Sequence, residues 1–146
     1  MRPPVEVHTS SFGHSRVDFN RTLVRRELRR VGQMVSKDAR GYVNRRRASG
    51  PSEFPGRRTG ALFRAIKARV SRSGFSVAVA PFRTAELMRK GSDAYYPGYL
   101  LSGAARDRGG RLHPRDNYIE AAAIRHQAGA RARLGAVLQA ALVPRG

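Results

Sequence analysis

The chain has 146 residues, a formal net charge of +19, 40% hydrophobic residues and no cysteine. That length suits one ordinary domain with a real core, and the missing cysteine excludes disulfides, thiolate metal sites and cysteine nucleophiles. Arginine supplies nearly all of the charge, since Lys37, Lys67 and Lys90 are the only lysines, and a compact chain this basic repels itself unless something acidic compensates.

Nucleic acid is the first candidate, because neutralising phosphates releases condensed counterions and drives binding without sequence readout. Anionic lipid or an acidic protein satisfies the same electrostatics, and a GC-rich genome yields the same preference for arginine. No apolar run approaches the roughly 20 residues needed to span a bilayer. Met1-Arg2-Pro3-Pro4 leads into polar residues without a signal-peptide pattern, so a soluble protein used without export and without a membrane is expected.

Residues 1–17, with Pro3, Pro4 and Gly13, read as a flexible N-terminal arm in which Val5-Glu6-Val7-His8 alternates like a short strand. From Asp18, a candidate cap, to about Arg47 the pattern is helical, with Val24, Leu28, Val31, Val35, Ala39 and Tyr42 on one stripe. Arg25, Arg26, Arg29, Arg30, Arg40 and Arg45 to Arg47 cover much of the remaining surface. Gly32 and Gly41 each weaken such a helix by about 1 kcal/mol relative to alanine, and a bend or fray is expected near Gly41. Residues 48–58 are a Pro/Gly-rich loop, after which Thr59 caps a short helix through Leu62, Phe63 and Ile66.

Residues 67–72 and 75–80 form a hairpin about Ser73-Gly74, with Phe75, Val77 and Val79 on the buried face beside Ala68 and Val70. A short helix is expected at 85–90, then an aromatic cluster of Tyr95, Tyr96 and Tyr99 leading into Leu100 and Leu101, then a basic glycine-rich loop over 103–114. The last element is a helix from about Asn117 to Leu142, capped by Asn117 with Glu120 at capping-box spacing. Its apolar stripe is Ile119, Ala123, Ala130, Leu134, Val137, Leu138 and Ala141. Residues 143–146 form a tail; Leu142-Val143-Pro144-Arg145-Gly146 has the form of a thrombin cleavage sequence, as a tag remnant or a native end would. The sum over 18–142 is one α+β domain: two long helices packed on a small antiparallel β-sheet, with long basic loops.

Catalytic constellations are weak. His8, His14, His113 and His126 are scattered without metal-ligand spacing, and the ten carboxylates form no evident acid/base pair. Gly109-Gly110 lies in a basic loop with no following Lys-Ser/Thr, so no catalytic, cofactor or metal site is expected and the chain reads as a non-enzyme. Arg45, Arg46, Arg47, Arg57 and Arg58 around the first loop, and Arg106, Arg108, Arg111 and Arg115 in the second, are the candidate contacts to DNA or an acidic partner. The plain alternative is a solvated charge run. The tyrosines serve core or subunit packing or, alternatively, base stacking.

Pro55-Gly56-Arg57-Arg58-Thr59-Gly60-Ala61-Leu62-Phe63-Arg64-Ala65-Ile66 resembles the segment "Pro, then Thr-Gly-x-Leu-x-x-Ser-Ile" of tail-completion (head–tail connector) proteins of long-tailed bacteriophages. Tyr96-Pro97-Gly98-Tyr99-Leu100-Leu101-Ser102-Gly103 is similar to a divergent copy of their "Tyr-Ala-x-Tyr-Val-Glu-Phe-Gly-Thr", and His113-Pro114-Arg115 to the lead into their final helix. The family's Glu and aromatic are Leu101 and Ser102 here, and its Ser is Ala65. The resemblance spans residues 18–142. It implies a non-catalytic virion protein of the neck or head-proximal tail, assembled in the host cytoplasm into a ring, hexameric by analogy. It also implies neighbouring head-completion and tail-terminator or tail-tube proteins and genomic DNA in the lumen. Leu62, Ile66, Tyr96, Tyr99 and Leu100 are then packing or subunit-contact residues. The alternative is a free, sequence-independent nucleic-acid-binding protein.

Overall fold

The computed structural model describes residues 17–47, 49–87, 96–105 and 111–144. The apolar residues at three- and four-residue spacing wind into α1 (Arg21–Tyr42), which buries Val24, Leu28, Val31, Val35 and Ala39 along one stripe. The cap is Asn20 and not Asp18: the Asn20 side chain accepts the Leu23 N–H at 3.3 Å. Asp18 is unavailable because it lies within a strand, β1 (Val17–Phe19), opposite Val143. The helix ends at Tyr42, short of Arg47, one residue after the glycine that weakens its last turn.

The Pro/Gly-rich loop leads into α2 (Ala61–Ala65), which starts at Gly60 in the left-handed region, φ +80°. The Thr59 hydroxyl accepts the Ala61 N–H at 3.3 Å, so Thr59 satisfies the first turn from one position outside the cap. Ile66 is not helical; it opens β2 (Ile66–Val70), which pairs antiparallel with β3 (Val77–Pro81) from Ile66↔Pro81 to Val70↔Val77. Ala68, Val70, Val77 and Val79 are half-buried, while Lys67 and Arg69 face out. Phe75 departs from the expected face and is 55% exposed. It sits in the connecting turn beside Gly74, φ +81°, where strand alternation no longer sets side-chain direction. After β3, residues 85–87 form only a turn, closed by the Leu87 N–H on the Thr84 carbonyl, and 88–90 lie outside the described residues.

The aromatic segment, to which the sequence reading gave no helix or strand, is a helix, α3 (Tyr96–Ser102). Pro97 falls in its first turn, where a missing N–H breaks no helical bond. Within the second basic loop, β4 (Ala104–Ala105) and β5 (Arg111–Leu112) pair as a short ribbon. Asn117 then caps α4 (Tyr118–Ala141), accepting the Ile119 and Glu120 N–H groups at 3.2 and 3.1 Å. The residues read as the start of a tail continue as β6 (Leu142–Pro144), paired with β1. The Asn20 N–H also donates to the Ala141 carbonyl at 3.0 Å, which ties the start of α1 to the end of α4.

The two long helices run antiparallel, and their contact holds two apolar clusters. One joins Val35, Ala39 and Val43 to Ile66, Tyr118 and Ala122; the other joins Val24 and Leu28 to Ala141. Burying a side chain of this size contributes about 1.5–3 kcal/mol. Gly32 marks where the hairpin crosses α1, since a methyl there would meet Val77 Cγ2 at 2.6 Å and Ala68 Cβ at 2.8 Å. The helix gives up propensity at Gly32 so that β2 and β3 can lie directly on its backbone. The fold is α+β, with the sheet present as three two-stranded pairs.

Candidate polyanion interface

Two basic regions differ in how their charge is held. In the loop after α1, the Arg57 N–H donates to the Arg45 carbonyl at 2.6 Å, and the Arg57 guanidinium donates to Asn44 Oδ1 at 2.9 Å and lies 5.1 Å from the Phe63 ring centre. Tyr42 stacks on Phe54 at 4.6 Å, and Pro55 is buried. The loop docks on the lead into α4, through Ser52 N–H to the Pro114 carbonyl and Asp116 N–H to the Glu53 carbonyl. Ser52 takes φ +55° to make this turn.

Glu53 organises the local charge. The Gly50 N–H donates to its Oε2 at 3.0 Å and Arg47 pairs with its Oε1 at 3.3 Å. That N–H first, and then Arg47 with help from Arg45 and Arg115, hold the carboxyl below the usual carboxylate range. Of the expected contact arginines, Arg47 is therefore paired with this carboxylate, and Arg45 and Arg115 act on it more weakly. Arg115 is also half-buried, and its Nε is enclosed without a hydrogen bond among the described residues. Arg46 and Arg58 are exposed. Arg106 and Arg108 lie outside the described residues, and of Arg111 the structure gives its backbone in β5.

Of the packing candidates, Ile66 is fully buried and Leu100 is buried. Leu62 is half-buried and touches two core clusters. Tyr96 opens α3 and Tyr99 lies within it. Ile66 carries a further role, because its carbonyl accepts both Nε and Nη2 of Arg40, at 2.9 and 2.6 Å, fixing α1 to the first residue of β2.

The second basic region lies on α1, whose Arg25, Arg29 and Arg40 were expected on the charged helix surface but not among the candidate contacts. Arg25, Arg29, Lys37 and Arg40 of α1 and Lys67 of β2 line one groove, with Gln33 and Ser36 between them. No carboxylate lines it among the described residues. Arg25 is seated against the hairpin turn, where a methyl on Gly74 would meet its Cγ at 2.5 Å. The four-residue spacing of Arg25, Arg29, Gln33 and Lys37 was the available signal. What the sequence lacked was the position of Lys67, which only the crossing of hairpin over helix brings alongside.

The acidic residues of the helices are spent elsewhere. Glu27 is buried and accepts from Arg30 at 3.3 Å and from Arg133 of α4 at 3.4 Å. Asp38 meets Arg125 at 3.4 Å and His126 Nε2 at 2.9 Å, so His126 is a partly buried bridge between the helices. Among the described residues no group of three or more His, Cys, Asp or Glu side chains converges as metal ligands, and no helix is long and apolar enough to cross a membrane.

Of the stripe expected on α4, Ala141 is buried and Ile119, Ala130, Leu134 and Val137 are half-buried. Tyr118 and Ala122, outside that stripe, are buried, whereas the stripe's Ala123 and Leu138 are exposed and Ile124 beside them is 64% exposed. These last three share an apolar furrow with Ala130, Leu134 and Gly135, because among the described residues α1 is the only long element covering α4 and reaches one side of it. Comparison of the chain with protein-family models, with curated proteins and with solved structures finds no match.

Proposed function

We propose that the chain is a structural virion protein of a tailed bacteriophage. In this reading it is a ring-forming tail-completion or neck component that joins head and tail around the DNA channel and has no catalytic role. The observation that carries the reading is the order of elements. A long helix, a proline-glycine loop, a Thr-Gly turn into a short helix, a hairpin, an aromatic segment, a basic ribbon and a capped final helix follow one another as the motif resemblance requires.

The uncovered furrow on α4 supports assembly. An apolar face on a 24-residue helix is a surface that a ring subunit presents to a neighbour. Two such faces meeting each other would oppose Arg131 to Arg131, since Arg131 lies within the furrow. A head-to-tail contact, which forms a ring when its rotation closes, avoids this repulsion. By family analogy the ring is a hexamer in the neck or head-proximal tail, assembled in the host cytoplasm. Its neighbours are head-completion and tail-terminator or tail-tube proteins.

Native mass spectrometry and electron microscopy of the purified protein test this, alone and with candidate ring partners. Closed rings are expected, and Ile124→Glu with Leu138→Glu should leave folded monomers. Monomers that persist with every partner and bind duplex DNA tightly would overturn the neck reading in favour of a free nucleic-acid-binding protein.

A further inference from the structure

We infer that the groove between α1 and β2 is a binding site for the phosphate backbone of duplex DNA, held without base readout. The inference deepens the neck reading by naming its DNA-facing surface. It rests on that reading only for where the DNA comes from, because binding is a property of the isolated chain.

Geometry favours a linear polyanion. The positions from Arg25 to Arg40 recur every three or four residues, so they form one stripe about 22 Å long at about 1.5 Å per residue. A DNA strand presents one phosphate per about 3.4 Å of axis but spaces them farther apart along its winding backbone, so such a stripe faces a short run of successive phosphates. Lys67 and the hairpin raise a second wall, which makes the surface concave: a single backbone ridge seats in it, while a flat bilayer does not.

Chemistry points the same way. Arg25, Arg29, Lys37 and Lys67 make no ion pair among the described residues, unlike Arg47, Arg64, Arg125 and Arg133, which do. Arg40 is anchored on the Ile66 carbonyl and stiffens the groove floor. Arginine forks give bidentate phosphate contacts and the lysines give point charges. Gln33 and Ser36 add neutral polar groups of the kind that fix register on phosphate oxygens. The +19 charge explains why the chain attracts polyanions; the acid-free groove explains where one can lie without displacing an internal carboxylate.

The test is fluorescence anisotropy with two short duplexes of unrelated sequence over a salt series. It compares the parent chain with Arg29→Ala/Lys37→Ala/Lys67→Ala and with a loop control of equal charge loss, Arg45→Ala/Arg46→Ala/Arg58→Ala. The three groove side chains are exposed, and circular dichroism checks that both variants fold. The groove variant is expected to lose about 0.9 of log–log salt slope per contact, roughly 2.7 in total, and at least about tenfold in affinity at moderate salt, equally on both duplexes. The loop control should lose less than half as much.

Equal losses in the two variants would mean that net charge alone acts, and would overturn the groove assignment. So would a parent that does not bind duplex, a preference for one duplex, or a groove variant that loses binding to anionic phospholipid vesicles but keeps it to DNA. Ring formation by the groove variant is read separately, so failure of the groove and failure of the neck reading are told apart.

Discussion

Helices α1 and α4 are of similar length, 22 and 24 residues, and lie side by side, yet they are used in opposite ways. α1 is enclosed by α4 on one side and the hairpin on another, and buries Val24, Glu27, Leu28, Val31, Gly32, Val35, Ser36 and Ala39. Among the described residues α4 has only α1 as a major neighbour, and buries Tyr118, Ala122 and Ala141. An apolar stripe therefore measures what a helix can cover, while its neighbours decide what is covered. The surplus on α4 is available for assembly, and the polar remainder of α1 is available for a charged ligand.

The sharpest way to break this comparison is to truncate one aliphatic side chain on each helix. Leu28→Ala is expected to cost about 2–5 kcal/mol in urea unfolding, and Ile124→Ala no more than about 0.5 kcal/mol under monomeric conditions. Equal costs would show that the α4 face is covered within the monomer. A smaller contrast comes from glycine. Gly32→Ala should destabilise by about 1–2 kcal/mol because overpacking against Val77 and Ala68 outweighs the helix-propensity gain, whereas Gly135→Ala meets nothing within 4 Å and should stabilise by up to about 1 kcal/mol. If thermal melting shows Gly32→Ala also stabilising, the hairpin does not sit directly on α1.

The smallest effect concerns the loop that links the end of α1 to the start of α4. The Glu53 carboxyl is lowered by the Gly50 N–H and Arg47, so its contribution is present above the usual carboxylate range and is lost as pH falls through the lowered value. On acidification the Gly50 amide should lose its protection, with the Arg47 pairing lost alongside, while the hairpin amides hold. Glu53→Gln should show the loosened loop already at neutral pH. A Gly50 amide resonance indifferent to both changes would remove Glu53 as the organiser of this loop.

Much of this was legible locally. Asn117 ahead of Glu120, the α1 stripe and the Ser73-Gly74 turn are signals written within a few residues, and each produced its element. The cap of α1 was missed because Asp18 and Asn20 are equivalent choices until β1 pairs with β6 and commits Asp18 to a strand. α3 carried no helix assignment because seven residues holding a Pro-Gly pair are too short to show helical periodicity, although the first turn tolerates proline.

The sequence by itself determined that two amphipathic helices, one hairpin and a large positive charge must be accommodated in one chain, because helical and strand periodicity, capping and net charge are properties of neighbouring residues. Only the tertiary structure decided which arginines are neutralised and which are not. Arg47 pairs with Glu53 and Arg133 reaches Glu27, while Lys67 crosses to the open face of α1. Charge is counted along the chain, but its compensation depends on distances of a few ångströms between residues far apart in sequence, and packing sets those distances.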